Sequence, residues 1–398
     1  MANAVGNYNE DFFAQEALVS LYKHLGLATR VYMGYDREYA THQAGDTIKI
    51  RGPGSFTAGN APTATASAAD VTARSATITL DQWKDVVFGL TDKELALSKK
   101  QIIEDHVDPA AAAIADAIDQ YILSYYYAVP YAFCQAGATA AVTDIVEARR
   151  LLQIARCPLG DRANMHAMLT LTHEKDLLNL AAFTQYQGGD GPAVTTQLSG
   201  NLGLRYGFNF WANQNYSTHV CTTATDVAGA IDSDPAVGYD KGTSTIHVDA
   251  FGASDVLKKG DTFYITGDPQ PYSLTADATL SSNEIDINIS PPLRQAVLDN
   301  AVVTFVAKTP AGHDLPAGAF SLFFHRNWFG LAFGRLPDAD LSGLGAKVRS
   351  VLDPVTGLGI RVTMWYDGNL AKKMVRVDAL YGGVVLEPDM ACRMHESA

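Results

Sequence analysis

The chain has 398 residues, of which 47% are hydrophobic and 18% charged, with a net charge of −13. That length and apolar content suffice for two or three domains with proper cores, and the acidic balance excludes a protein that tracks nucleic-acid phosphates, which needs clustered Lys and Arg. Lys99-Lys100, Lys258-Lys259 and Lys372-Lys373 are isolated pairs, and the low charge suits either a subunit covered by neighbours or a loop-rich β protein.

Glu10 to Leu25 reads as an amphipathic helix, with Phe13, Ala17, Leu21 and Leu25 on one stripe and Gly26 as its stop. From Gly45 to Leu90 the pattern predicts a long β-hairpin. Thr47-Ile48-Lys49-Ile50-Arg51 and Ala76-Thr77-Ile78-Thr79-Leu80 alternate, and Gly52 to Ala73 between them is rich in Gly, Pro, Ala, Thr and Ser. Such a hairpin is not stable alone, so something must cover it, and a neighbouring subunit is the simplest candidate. Fully extended, it reaches on the order of 70 Å at about 3.3 Å per residue.

Thr91-Asp92-Lys93-Glu94 is a capping box, predicting a helix to about Val107. Asp108-Pro109 restarts the helix, which continues to about Ala128 with Ile114, Ile118, Ile122 and Tyr125 as its stripe. Thr143 to Ala155 is a further helix, Met165 to Thr172 a strand, His173 to Ala182 a short helix, and Arg205 to Trp211 a strand. Gln185 to Ser199 reads as a mobile loop. Helix signals vanish from Val220 to Lys308, where short strands appear at Thr243 to Val248, Thr262 to Thr266, Glu284 to Ile289 and Val302 to Val306, predicting a small all-β barrel or sandwich.

The last fifth opens with the apolar run Phe320 to Phe333 and returns as two alternating strands, Leu358 to Tyr366 and Met374 to Tyr381, joined by a turn at Asp367-Gly368-Asn369. Ile360, Val362, Met364 and Val375, Val377, Ala379 place one face on a core.

Catalytic motifs are absent. There is no P-loop and no nucleophile elbow, and His173-Glu174 lacks the second His of a metalloprotease. Gly52-Pro53-Gly54 and Gly343-Leu344-Gly345 lack the strand-to-helix setting of a dinucleotide site. Asp226, Asp232, Asp234 and Asp240 lack EF-hand spacing and read as a solvated acidic loop, so neither a metal nor a cofactor is expected. His325, Trp328, Phe329 and Phe333 read as core. Cys134, Cys157, Cys221 and Cys392 form no CxxC, which predicts free thiols in a reducing compartment. No signal-peptide order opens the chain, and no run approaches the roughly 20 apolar residues of a membrane helix.

Three segments carry a resemblance: GDTIKIRGPGSF (Gly45 to Phe56), FHRNWFGLAFGRLPD (Phe324 to Asp338) and DPVTGLGIRVTMWYDGNLAKKMVRVDALYGGVVLEPDMACRM (Asp353 to Met394). In this order they resemble tailed-phage major capsid proteins, in the short-tailed-phage subgroup that carries an inserted β domain in the Hong Kong 97-type capsid fold. The resemblance implies an α+β fold divided into an N-terminal arm (1–44), an extended loop hairpin (45–90), a peripheral domain with a spine helix (91–140), an axial domain (141–220), an inserted β domain (221–310) and a return of axial and peripheral domains (311–398). It implies that the segment from Tyr366 to Gly382 closes the axial sheet and returns to the peripheral domain. It also implies intersubunit contacts at Phe13, Leu21, Arg51, Phe56, Trp83 and Tyr186.

The expected function is that of a coat protein, not an enzyme. Many copies would form pentamers and hexamers of an icosahedral phage head, with scaffolding, portal and decoration proteins as further partners. The shell would enclose double-stranded DNA without sequence-specific binding, assembling in the host cytoplasm and residing in the virion. The resemblance brings intersubunit isopeptide crosslinks with it from one branch of the family, but no Lys–Asn pair here is marked for them. Two other classes remain open at this stage: a β-rich tail or receptor-binding module, and a hydrolase using acidic residues.

Overall fold

The computed structural model describes residues 10–33, 47–51, 75–91, 106–184, 200–220, 228–233, 237–251, 256–281, 283–305, 318–334, 336, 346–353, 358–369 and 372–396. Helix α1 (Glu10–His24) comes first, followed by strands β1 (Thr47–Arg51), β2 (Ser75–Thr79) and β3 (Gln82–Thr91). Thr91 therefore ends a strand, and the helix expected after it falls largely outside the described residues. Helix α2 (Asp108–Leu123) begins at the Asp-Pro pair and tightens into a 3-10 turn at Ser124–Ala128. Ile114, Ile118 and Ile122 are fully buried along it.

Strand β4 (Tyr131–Cys134), α3 (Val142–Ile154), β5 (Met165–Leu169), α4 (Leu171–Leu178), α5 (Ala181–Thr184), β6 (Gly203–Arg205), β7 (Phe208–Ala212) and β8 (Thr218–His219) follow. The start of α3 is fixed by Asp144 rather than the expected Thr143: its carboxylate accepts from the amides of Ala141 (2.8 Å) and Ala136 (3.2 Å). Thr170 caps α4, its hydroxyl accepting from the His173 amide at 3.2 Å. The β-rich stretch contributes β9 (Ala228–Ile231), β10 (Thr245–Asp249), β11 (Val256–Leu257), β12 (Thr262–Ile265), β13 (Pro271–Leu274), β14 (Ala278–Thr279), β15 (Ile285–Ser290) and β16 (Val302–Phe305). The chain ends with β17 (Gly318–His325), β18 (Phe329–Gly334), β19 (Lys347–Leu352), β20 (Gly359–Asp367), β21 (Lys372–Val385) and β22 (Ala391–His395).

These elements divide into two compact units. The first comprises Met1–Leu25, Tyr32–Ala117 and Phe329–Leu386; the second comprises Gly26–Val31, Ile118–Trp328 and Glu387–Ala398.

The first unit is built on β21. Along Lys372–Tyr381 it pairs with β3, and its opposite edge is shared by β20, against Lys372–Asp378, and β18, against Leu380–Val385. Strand β19 completes this five-stranded sheet beyond β20. The alternation read from sequence holds: Ile360, Val362, Met364, Val375, Val377 and Ala379 are all buried. Helix α1 packs on β19 and β20 and buries Phe13, Ala17 and Leu21. The β20–β21 turn is closed by Asp367, whose carboxylate accepts from the Asn369 amide at 2.9 Å. Gly368 does not use positive φ there.

Two expectations are corrected here. The segment from Tyr366 to Gly382 does not join the sheet that contains β5 and β7; its strands pair with each other, with β3 and with β18. The base of the β1–β2 hairpin is not left for a neighbour to cover either. Ile48, Ile50, Ile78 and Leu80 pack with Ala332, Leu380 and Val384 of the same unit. The approach is so close that a Cβ on Gly382 would lie 1.9 Å from the Thr79 carbonyl oxygen, so only glycine fits.

The second unit holds a seven-stranded mixed sheet in the order β4-β22-β17-β5-β7-β6, with β8 paired to β17. Its core joins Ile145, Ala148 and Leu152 of α3 to Met165, Phe208, Phe210, Phe323 and Met394 of the strands. Strands β10-β15-β13-β12-β16-β9 close a separate six-stranded barrel around Phe251, Phe263, Tyr272 and Phe305. The barrel is strung between β8 and β17, which pair at Gly318↔His219. The chain therefore leaves the sheet and returns to it at adjacent points, the arrangement that lets one folded body sit within another.

Candidate assembly surface

Strand β3 runs for ten residues with one edge on β21, and its other edge pairs no strand among the described residues. Trp83, Asp85 and Val87 share one face of it, since alternate residues of a strand point the same way. Trp83 is 53% exposed and Val87 46%.

The polar groups that position this face come from the paired strands. Arg361 of β20 and Asp378 of β21 stand opposite each other and form a buried two-pronged pair: Nε to Oδ1 at 3.0 Å and Nη2 to Oδ2 at 2.5 Å. Trp83 Nε1 donates to Asp378 Oδ2 at 2.9 Å. The Arg376 guanidinium lies 5.1 Å from the Trp83 ring centre and bridges to Asp85 at 3.0 Å. The indole is thus held flat by a charged network while half of it stays open, a rigid aromatic of the kind that anchors interfaces.

The six residues expected at intersubunit contacts do not gather in one place. Trp83 lies on the open strand. Phe13 and Leu21 are core residues of the first unit, whereas Val19 of the same helix is 50% exposed. Arg51 ends β1, opposite Ser75. Phe56 and Tyr186 lie outside the described residues, as does the loop Gln185 to Ser199. Val87, Asp85, Arg376 and Asp378 were missed by the sequence reading. Gln82–Thr91 has no clean alternation, and its partner strand is nearly 300 positions away.

Two polar clusters in the second unit resemble chemistry but are structural. His173 Nδ1 lies 2.6 Å from Ser321 Oγ, and its Nε2 lies 3.0 Å from Gln135 Oε1. Both His173 and Ser321 are at 0% exposure, so no substrate reaches the hydroxyl, and burial lowers the pKa of His173. The pair ties α4 to β17. Asp119 accepts from the amides of Gly26, Leu27 and Ala28, each at 3.1 Å, and from Asn213 at 3.2 Å. It binds residues 26–31 to α2 and β7, although burial raises its pKa against the pull of those donors.

His325, Trp328, Phe329 and Phe333 are buried, as the sequence predicts. The Cys157 thiol is pushed up to about 12 by burial, so it stays protonated and inert. Of the acidic quartet, Asp226 and Asp234 lie outside the described residues, while Asp232 faces His247 and Glu284 across the barrel strands.

No family model matches the chain, and no curated protein matches it. Among solved structures it is similar to a chain of Mycobacterium phage Che8, with 12% identity over 94% of this chain and 91% of that chain and a TM-score of 0.47. It is also similar to a chain in the capsid structure of the cyanophage P-SCSP1u, at 13% identity over 88% and 84% of the two chains, with a TM-score of 0.41. A third likeness is to the asymmetric unit of the bacteriophage PhiM1 mature capsid, at 11% identity over 88% and 82%, with a TM-score of 0.43.

Proposed function

We propose that this chain is the major capsid protein of a tailed double-stranded DNA bacteriophage, in the Hong Kong 97-type fold, assembling as pentamers and hexamers into an icosahedral head. The observation that carries the proposal is the ten-residue edge of β3 that pairs no strand among the described residues, with Trp83 and Val87 exposed beside it. An open edge of that length is a pairing template that a lone protein normally blocks, and a neighbouring copy removes the liability by covering it. The ordered sequence resemblance from Gly45 to Met394 supplies the family.

In this reading residues 1–44 form the arm and the β1–β2 hairpin the extended loop. Helix α2 is the spine, and the first unit's sheet is the peripheral body. The seven-stranded sheet is the axial body, and the barrel is the inserted β domain. The role is structural, not catalytic. A net charge of −13 lines the shell without gripping the genome. Scaffolding, portal and decoration proteins are the further partners, and the site of residence is the phage head after assembly in the host cytoplasm.

Negative-stain microscopy combined with sedimentation of the purified chain, with and without a co-expressed scaffold, tests this. Closed shells, tubes or five- and six-membered rings are expected. A discrete trimer with affinity for a receptor or sugar favours a tail module and overturns the proposal.

A further inference from the structure

The barrel carries a group of partly exposed polar side chains, Asp232, His247, Glu284 and Asp286. Asp232 follows β9, His247 lies in β10, and Glu284 and Asp286 flank the first residue of β15. These three strands are neighbours in the barrel, with Val248↔Ile231 and His247↔Asp286 in register. The Asp232 amide donates to the His247 carbonyl at 3.1 Å, which locks the loop end against the strand. Ile246 and Val248 point into the barrel core, so His247 between them points outward.

The imidazole is oriented by one carboxylate and aimed at two others. Nδ1 lies 2.7 Å from Asp286 Oδ1, a hydrogen bond that leaves Nε2 as the nitrogen able to bind. Nε2 is 3.9 Å from Asp232 Oδ2 and 3.8 Å from Glu284 Oε2, too far for hydrogen bonds. All three ligand atoms lie within 4.8 Å of one another. Among the described residues neither Asp232 nor Glu284 has a Lys or Arg ion-pair partner, so two carboxylates face each other with only the imidazole between them.

We propose that Asp232, His247 and Glu284 form a binding site for a divalent transition-metal ion of the zinc class, with Asp286 orienting the histidine. Zinc–ligand bonds of about 2.0–2.2 Å around a tetrahedron separate ligand atoms by roughly 3.3–3.5 Å, so each carboxylate oxygen needs to approach Nε2 by about half an ångström. An imidazole among the donors selects zinc-like ions over calcium and magnesium, which prefer oxygen alone. A carboxylate behind the ligating histidine is the usual orienting partner at such sites. The ion would tie β9, β10 and β15 together on the barrel surface, leaving its fourth position to water. The assignment is independent of whether the chain builds a shell.

Isothermal titration of the full chain with zinc chloride, after dialysis against a chelator, tests it. One saturable site per chain is expected. His247→Ala, and the double variant Asp232→Asn with Glu284→Gln, should each weaken that site at least 10-fold. Asp286→Asn should weaken it about 10-fold through orientation alone. Circular dichroism of each variant checks that the barrel remains folded, and His247→Gln is the fallback if His247→Ala does not fold. Cobalt added in place of zinc should give visible absorbance that His247→Ala abolishes. No saturable zinc binding, equal zinc affinity in the folded variants, or saturation by calcium with zinc silent overturns the proposal.

Discussion

The barrel and the five-stranded sheet solve the same problem in opposite ways. Strands β9 and β10 meet to close the barrel, so every strand in it has two partners and its core of Phe251, Phe263, Tyr272 and Phe305 is complete. Among the described residues the sheet around β21 stops at β3, whose second edge pairs no strand and which carries two large exposed apolar side chains. A body that closes on itself can ride on a chain without dictating its associations. A body with an unpaired edge offers a template for another molecule. Assembly is therefore expected to depend on the first unit, and the barrel to be tolerant of changes that abolish assembly.

The sharpest way to break this contrast is Asp378→Ala. It removes the fully buried carboxylate that Arg361 and Trp83 both bind, and removing one member of such a buried pair costs about 3–5 kcal/mol. Hydrogen exchange should show β3 and β20 opening while β10 and β12 of the barrel keep their protection. Uniform loss across both would show that the two bodies do not behave separately.

Asp119→Ala acts on the second unit, leaving the amides of Gly26, Leu27 and Ala28 without their acceptor. A cost of about 2–3 kcal/mol is expected in urea unfolding, with residues 26–31 exchanging first.

A pH series probes the same unit. His166 is lowered to about 4, chiefly by burial and then by Arg30, Arg326 and His325. The unfolded chain therefore takes up this proton more readily than the folded one. The contribution is whole above pH 6.5 and is lost as pH falls toward 4. His166→Gln should flatten that part of the curve, and an unchanged slope would remove His166 from the account.

Trp83→Ala should change monomer stability least, by about 1 kcal/mol, because the ring is half exposed and its stacking on Arg376 is worth little more. Its effect should appear in sedimentation, as a shift from assembled to unassembled chain.

The parts of the fold visible in the sequence are those with a local period. The strands expected around Thr243, Thr262, Glu284 and Val302 correspond to β10, β12, β15 and β16, and inward and outward residues alternate in β10, β15 and β16. The Ile114, Ile118, Ile122 stripe gives α2 for the same reason. What stayed hidden is pairing at long range. β3 follows the hairpin directly, yet it belongs with β21, and nothing in Gln82–Thr91 announces a partner at Lys372–Tyr381. Half of the candidate surface was hidden for that reason: Trp83 stands out as an aromatic, whereas Asp85, Arg376 and Asp378 are ordinary surface charges until the strands align. The barrel cluster has the same origin, its ligands converging from three strands spread over more than fifty positions.

The central claim is that association runs through the first unit. Its most direct test is deletion of residues 52–74, joining β1 to β2 by a short turn, followed by electron microscopy of the expressed chain beside the full-length one. The shortened chain should keep a folded barrel and sheet but form no closed shells. Closed shells of normal size from the shortened chain would contradict it.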